Sequence, residues 1–223
     1  MKRKEFNAYK KPFVETTHKI LATAYSENLA EAAFPAYSNP NPLMNFLFWQ
    51  RIYHVVQYIE QKGNLEKVLD FGCGSGVMLP FLAERANQVI GVDIDLEPIK
   101  KVEEYILFPK NISFQETYQD IPKKSLDLII ALDVLEHVDN LDQELAKLSS
   151  LLISGGEIII SGPTENLFYK LGRFLAGSEY SGDYHVRNIY DIRRITAKKM
   201  RVKNLATLYP FMPLFLVYTG VAD

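Results

Sequence analysis

Between Lys67 and Ser161, short apolar runs alternate with longer segments in which apolar residues recur every three or four positions. That rhythm predicts repeated strand–helix units and hence a parallel sheet. The predicted strands are Val68–Phe71, Val89–Val92, Ile112–Phe114, Leu126–Ala131 and Glu157–Ser161. Most lack strict apolar–polar alternation, as strands covered on both faces do. The clearest helix between them starts near Asp139 or Asn140, puts Leu141, Leu145, Leu148 and Leu152 on one face, and stops at Gly155 and Gly156.

The flanks follow other patterns. The first forty residues are rich in aromatics (Phe6, Tyr9, Phe13, Tyr25, Phe34, Tyr37) and read as a cap. A helix then starts after Asn41, with Pro42 at its first position, and carries Ile52, Val55, Val56 and Ile59 as one stripe up to Gly63. Beyond the fifth strand, Thr164 caps a predicted helix whose apolar face (Leu167, Phe168, Leu171, Phe174, Leu175) ends at Gly177, forming a lid or wall. A polar loop (Gly177 to His185) and a short basic helix with Ile189, Ile192 and Ile195 come next. The uncharged stretch Leu205 to Ala222 has the length of a bilayer span. Pro210 and Pro213 break a helix there, so the expectation is a hairpin of Val202–Tyr209 and Leu214–Thr219, without membrane association.

A length of 223 residues suits one large core rather than two independent folds. With 48% apolar and 23% charged residues, the chain has no composition for disorder. The net charge of -2 argues against a nucleic-acid partner. The basic groups Lys2, Arg3, Lys4 and Arg193, Arg194, Lys198, Lys199, Arg201 read as solvated helix faces. A single cysteine, Cys73, cannot form an internal disulfide, and the amino terminus carries no secretory leader pattern, so a reducing, cytoplasmic setting is expected. No Cys, His or carboxylate set has metal-ligand spacing, so no metal is expected.

The strongest chemical signal is the run Val68-Leu69-Asp70-Phe71-Gly72-Cys73-Gly74-Ser75-Gly76, a strand leading into three glycines spaced two apart. Glycines there permit a tight turn and let a ligand lie against backbone N–H groups. Dinucleotide enzymes use G-x-G-x-x-G instead. Asp70, just before the first glycine, disfavours a pyrophosphate and suits a cofactor bearing an amino group and a sulfonium. Asp93 ends the next strand, 17 positions after Gly76 (93 minus 76), where a carboxylate accepts hydrogen bonds from ribose hydroxyls. Asp95 reads as a helix N-cap.

The D-x-G-x-G turn and the later strand acid resemble motifs of the class I methyltransferases that bind S-adenosylmethionine. Leu126 to Val138, with Asp133-Val134-Leu135-Glu136-His137, resembles the fourth-strand segment of a small-molecule branch written D-V-L-E-H, and Leu151 to Ile160, with Gly155-Gly156, resembles its L-K-P-G-G turn. The match covers roughly residues 66 to 162. The resemblance implies a Rossmann-like α/β fold: a mostly parallel seven-stranded sheet with a C-terminal antiparallel hairpin and an N-terminal helical cap. It implies one methyltransferase domain over 1–223, with the cap at 1–63, the cofactor core at 64–162, and the lid helix and hairpin at 163–223.

By the same resemblance, Gly72, Cys73, Gly74 and Gly76 line the cofactor, Asp70 supports them, and Asp93 holds the ribose with Ile94 beside it. Relatives often have an acid on the adenine side; here the matching place is Thr117, followed by Tyr118, with Asp120 as a substitute. Leu132 and Asp133 border the transferable methyl group. His137 is a candidate general base, or with Glu136 braces a helix; both readings stand. His185, in a loose H-V-R match, is a second candidate against a plain loop histidine, while His18 and His54 read as structural.

The implied reaction is methyl transfer from S-adenosylmethionine to a small molecule, first at oxygen, then at carbon or nitrogen, leaving S-adenosylhomocysteine. The aromatic, apolar enclosure leans toward a hydrophobic acceptor. The competing classes are an NAD-dependent oxidoreductase and a non-catalytic nucleoside-binding regulatory protein. Oligomeric state is not legible.

Overall fold

A computed structural model describes residues 1–23, 34–39, 41–164, 187–208 and 213–223. The elements in chain order are α1 (Arg3–Thr23), α2 (Phe34–Tyr37), α3 (Pro42–Ile59), β1 (Leu65–Phe71), α4 (Leu79–Ala83), β2 (Ala86–Val92), α5 (Glu97–Glu103) and β3 (Ile112–Gln115). They continue with β4 (Leu126–Leu132), a 3-10 turn (Leu135–His137), α6 (Leu141–Leu151), β5 (Leu152–Pro163), α7 (Ile189–Thr196), β6 (Arg201–Leu208) and β7 (Phe215–Val221). The seven strands form one sheet in the order β3-β2-β1-β4-β5-β7-β6. The β1–β2, β2–β3 and β4–β5 pairs are parallel, and β7 is antiparallel to both β5 and β6. The fold class read from the sequence therefore holds, hairpin included.

Two compact units divide the chain, Met1–Asp120 and Ile121–Asp223. In the first, α3 buries the predicted stripe of Ile52, Val55, Val56 and Ile59, each such side chain contributing roughly 1.5–3 kcal/mol. Helix α1 buries Phe6, Phe13, Thr16, Thr17 and Ile20, spaced at helical period. Phe6 meets Trp49 and Tyr53 edge-on, with ring centroids 6.0 and 5.0 Å apart. Phe6, Phe13, Phe34 and Tyr37 are thus core residues of this unit, so most of the aromatic character that suggested an enclosing wall is spent on packing.

In the second unit, β4 buries Leu128, Ile129, Ile130 and Ala131, and β5 buries Ile158, Ile159 and Ile160. Asn140 caps α6 by accepting from the Gln143 N–H at 3.3 Å. The helix ends at Leu151, and this corrects the expected stop: Leu152 opens β5 opposite Leu126, and Gly155 and Gly156 lie inside that strand. The cause is local crowding at an irregular register. A Cβ on Gly156 would stand 3.0 Å from the carbonyl oxygens of Ile153 and Leu126, so the residue is glycine for close backbone approach rather than for ending a helix.

The predicted lid helix after Thr164 and residue His185 lie outside the described residues. Among the described residues, no helix is long and apolar enough to cross a membrane.

Candidate cofactor-binding site

β1 runs straight into the glycine turn. Gly72, Gly74 and Gly76 have φ of 74°, 49° and 73°, in the left-handed region open chiefly to glycine. At Gly76 space is also short, since a Cβ would lie 2.7 Å from Ile99 Cδ1.

The turn's amides go to internal partners. Gly72 and Cys73 both donate to the Val92 carbonyl at 2.8 and 3.0 Å, and Gly76 donates to the Cys73 carbonyl at 2.7 Å. Gly74 donates to Asp93 Oδ2 at 2.8 Å. These bonds commit the Gly72, Cys73, Gly74 and Gly76 amides to partners within the protein. Its glycines supply shape and bare backbone, while four amides tie the turn to its own residues and to the end of β2. An anion would have to displace Val92, Asp93 or the Cys73 carbonyl to use them, unlike the open amides of a phosphate-binding turn.

Asp93 is partly exposed and accepts from Asp95 N at 3.3 Å through its other oxygen. Burial raises its pKa, against the lowering effect of the Gly74 and Asp95 hydrogen bonds. Each carboxylate oxygen keeps further acceptor capacity. Asp70 is 4% exposed, and burial first, then the Asp93 charge, pushes its pKa up to about 7. The Tyr9 and Tyr37 hydroxyls and the Cys73 thiol are also pushed up, chiefly by burial and further by Asp70. Tyr9 OH donates to the carbonyl of Val77, just beyond the turn. A buried carboxylate next to a second acid favours a cation, which fits the ammonium-bearing cofactor that the sequence implied.

The remaining positions behave differently. Ile94 is 92% exposed. Thr117 is exposed and accepts from Gln119 N at 3.3 Å, whereas the Tyr118 ring meets Phe71 edge-on at 5.5 Å. Asp95 accepts from Glu97 N at 2.8 Å as a cap does, although α5 takes Leu96 as its cap residue.

Sequence reasoning missed Arg51. It is 1% exposed, donates from Nη2 to Tyr37 OH at 3.4 Å, and stands over the Phe48 ring. The signal was available: Arg51 falls one turn before Val55, on a stripe that is otherwise apolar.

In the second unit, Leu132 is the last residue of β4 rather than one beyond it. Asp133 follows with φ 54°; its N–H donates to the Ser161 carbonyl at 3.0 Å, and Ser161 Oγ donates to Asp133 Oδ1 at 3.2 Å. In the 3-10 turn Glu136 is buried and His137 exposed. Arg187 secures the following segment by donating to the Val138 and Asp139 carbonyls at 2.6 and 2.8 Å.

The sheet order and the glycine turn define a Rossmann-like methyltransferase fold. It is similar to that of the N-methyltransferase NodS from Bradyrhizobium japonicum WM9, solved in complex with S-adenosyl-l-homocysteine (TM-score 0.64, 16% identity, 89% of this chain and 98% of that one). A family model described as a methyltransferase domain matches residues 21–208, and the chain belongs to that family. Among curated relatives, it is 34% identical over 107 residues to a ubiquinone biosynthesis O-methyltransferase from Idiomarina loihiensis, covering 46% of this chain and 44% of that protein. It is 26% identical over 171 residues to the protein of the same name from Stutzerimonas stutzeri, covering 74% of this chain and 68% of that protein. The chain thus spans less than half the length of the first relative and about two thirds of the second.

Proposed function

We propose that the protein is an S-adenosylmethionine-dependent O-methyltransferase acting on a small-molecule acceptor. The observation that carries this is the buried Asp70 carboxylate, set beside Asp93 at a glycine turn where the amides of Gly72, Cys73, Gly74 and Gly76 are already engaged. Such a place suits a nucleoside bearing positive charge and opposes a pyrophosphate, which disfavours the NAD-dependent alternative.

In this reading Gly72, Cys73, Gly74 and Gly76 line the cofactor, Asp93 accepts the ribose hydroxyls and Asp70 balances the amino group. Ile94, Thr117 and Tyr118 border the adenine, and Leu132 and Asp133 flank the methyl-bearing end. When bound, the cofactor supplies a methyl group on a positive sulfur and leaves as S-adenosylhomocysteine. The chain's part is alignment, exclusion of water and removal of the acceptor's proton. His137 takes that proton, its exposure fitting access to an acceptor, and His185 is the second candidate. The names of the curated relatives favour oxygen as the nucleophile, and the apolar character of ubiquinone favours a hydrophobic acceptor. The chain acts as one domain in a cytoplasmic setting: cap at 1–63, core at 64–162, lid helix and hairpin at 163–223. Its lone, buried cysteine suits that compartment.

Calorimetry with S-adenosylhomocysteine tests the reading. Binding should appear in the wild type and fall roughly 100-fold in Asp93→Ala, as loss of hydrogen bonds to a charged acceptor implies. Tight NAD binding without S-adenosylhomocysteine binding would overturn it. Methyl transfer from labelled donor to hydroxylated aromatic acceptors separates the enzyme from a silent nucleoside-binding protein.

A further inference from the structure

The Asp133–Ser161 pair is more elaborate than ending a strand requires. Asp133 holds a left-handed backbone, which among the described non-glycine residues only Lys124 shares. Such a conformation persists where the surroundings over-determine it. Here one buried residue supplies both restraints: Ser161 accepts the Asp133 N–H and donates its own hydroxyl to the Asp133 carboxylate. Ser161 is 1% exposed and follows Ile158, Ile159 and Ile160 in the middle of the sheet, where a hydroxyl without a partner would be unfavourable. It is in register with Leu132, so the restraint comes from the strand next to the one that carries Asp133. Asp133 itself is partly exposed, at the carboxyl end of a parallel strand, where ligands of such sheets collect.

We propose that Asp133 binds the acceptor's hydroxyl by accepting its hydrogen bond, and that Ser161 is the positioning residue that aims the carboxylate. This rests on the methyltransferase reading above and adds to it a rule for acceptors: a substrate with an O–H donor is held, and its methylated product, which has lost the donor, is released. The pair therefore selects substrate over product at the same place. The acceptor's hydroxyl has one proton, so as the oxygen–methyl bond forms and the methyl–sulfur bond breaks, that proton passes along the hydrogen bond to Asp133, and His137 is its next acceptor.

The probes are phenol, which donates, and anisole, its methyl ether, which does not. Each is titrated by ligand-observed NMR into the full chain saturated with S-adenosylhomocysteine. The wild type should prefer phenol by roughly tenfold, the scale of one hydrogen bond to a charged acceptor. Asp133→Asn, which tolerates the left-handed backbone and can still accept from Ser161, should reduce the preference to about twofold or less, as a neutral acceptor is weaker. Ser161→Ala should leave about a threefold preference, and Ser161→Thr, which returns a hydroxyl, should restore it. S-adenosylhomocysteine affinity should hold in Ser161→Ala. A wild type that fails to bind S-adenosylhomocysteine sinks the methyltransferase reading and this proposal with it. Binding of S-adenosylhomocysteine with equal affinity for phenol and anisole, or a preference that survives Asp133→Asn, sinks this proposal alone. So does a Ser161→Ala protein that loses folding and both ligands together, because Ser161 would then be structural.

Discussion

Replacing Asp70 by Asn removes a charge that the folded protein accommodates poorly. The carboxyl has an ordinary value of 3.8 and is pushed up to about 7, so the folded state holds its proton more tightly than the unfolded one. Stability from this group is therefore highest below pH 4, falls as pH rises from about 4 to about 7, and is flat beyond. The full penalty is about 4 kcal/mol, from a difference of about three pKa units at roughly 1.4 kcal/mol each. The buried Asn amide still needs partners, which offsets about 2 kcal/mol of the gain. Thermal unfolding of the protein without cofactor should then show Asp70→Asn melting roughly 4–8 °C above wild type at pH 8, with the gap closing near about pH 5 and the order reversing toward pH 4. S-adenosylhomocysteine should reverse the order: wild-type affinity should rise with pH through about 7 as Asp70 ionises to meet the ligand's ammonium, and the Asn variant should lack that rise. An Asn variant less stable than wild type at pH 8, or a melting difference that ignores pH, would refute the reasoning.

Other perturbations test separate parts of the structure. Gly76→Ala places a methyl group 2.7 Å from Ile99 at φ 73°; strain and overpacking together should cost about 3 kcal/mol, read as a lower urea midpoint at unchanged slope. Asn188→Ala removes a side chain that accepts from the N–H groups of Tyr190 and Asp191, both at 3.0 Å, at the start of α7. Loss of that cap should lower stability by about 1 kcal/mol, roughly 2–4 °C in melting temperature, and leave S-adenosylhomocysteine affinity unchanged.

Sequence pattern alone determined the parts governed by local periodicity and turn chemistry. Strands buried on both faces read as continuous apolar runs, the α3 stripe as a helix with one face to cover, and Pro210 and Pro213 as the break that makes a hairpin of an apolar stretch. The glycine turn and Asp93 were legible as well, because few residues tolerate positive φ and a carboxylate ending a strand has few uses. What the pattern left open depends on contacts between residues far apart in the chain. Which partners the turn's amides choose was decided by the Val92 carbonyl and Asp93, about twenty positions away. Whether Gly155 and Gly156 end a helix or sit inside a strand was decided by the approach of Leu126. Arg51 and Ser161 took on meaning only when folding set Tyr37 against the one and Asp133 against the other. Polar groups are the ones misread, because an apolar residue needs only a side to face, whereas a hydroxyl, amide or charge taken out of water needs a particular partner, and tertiary structure alone supplies it.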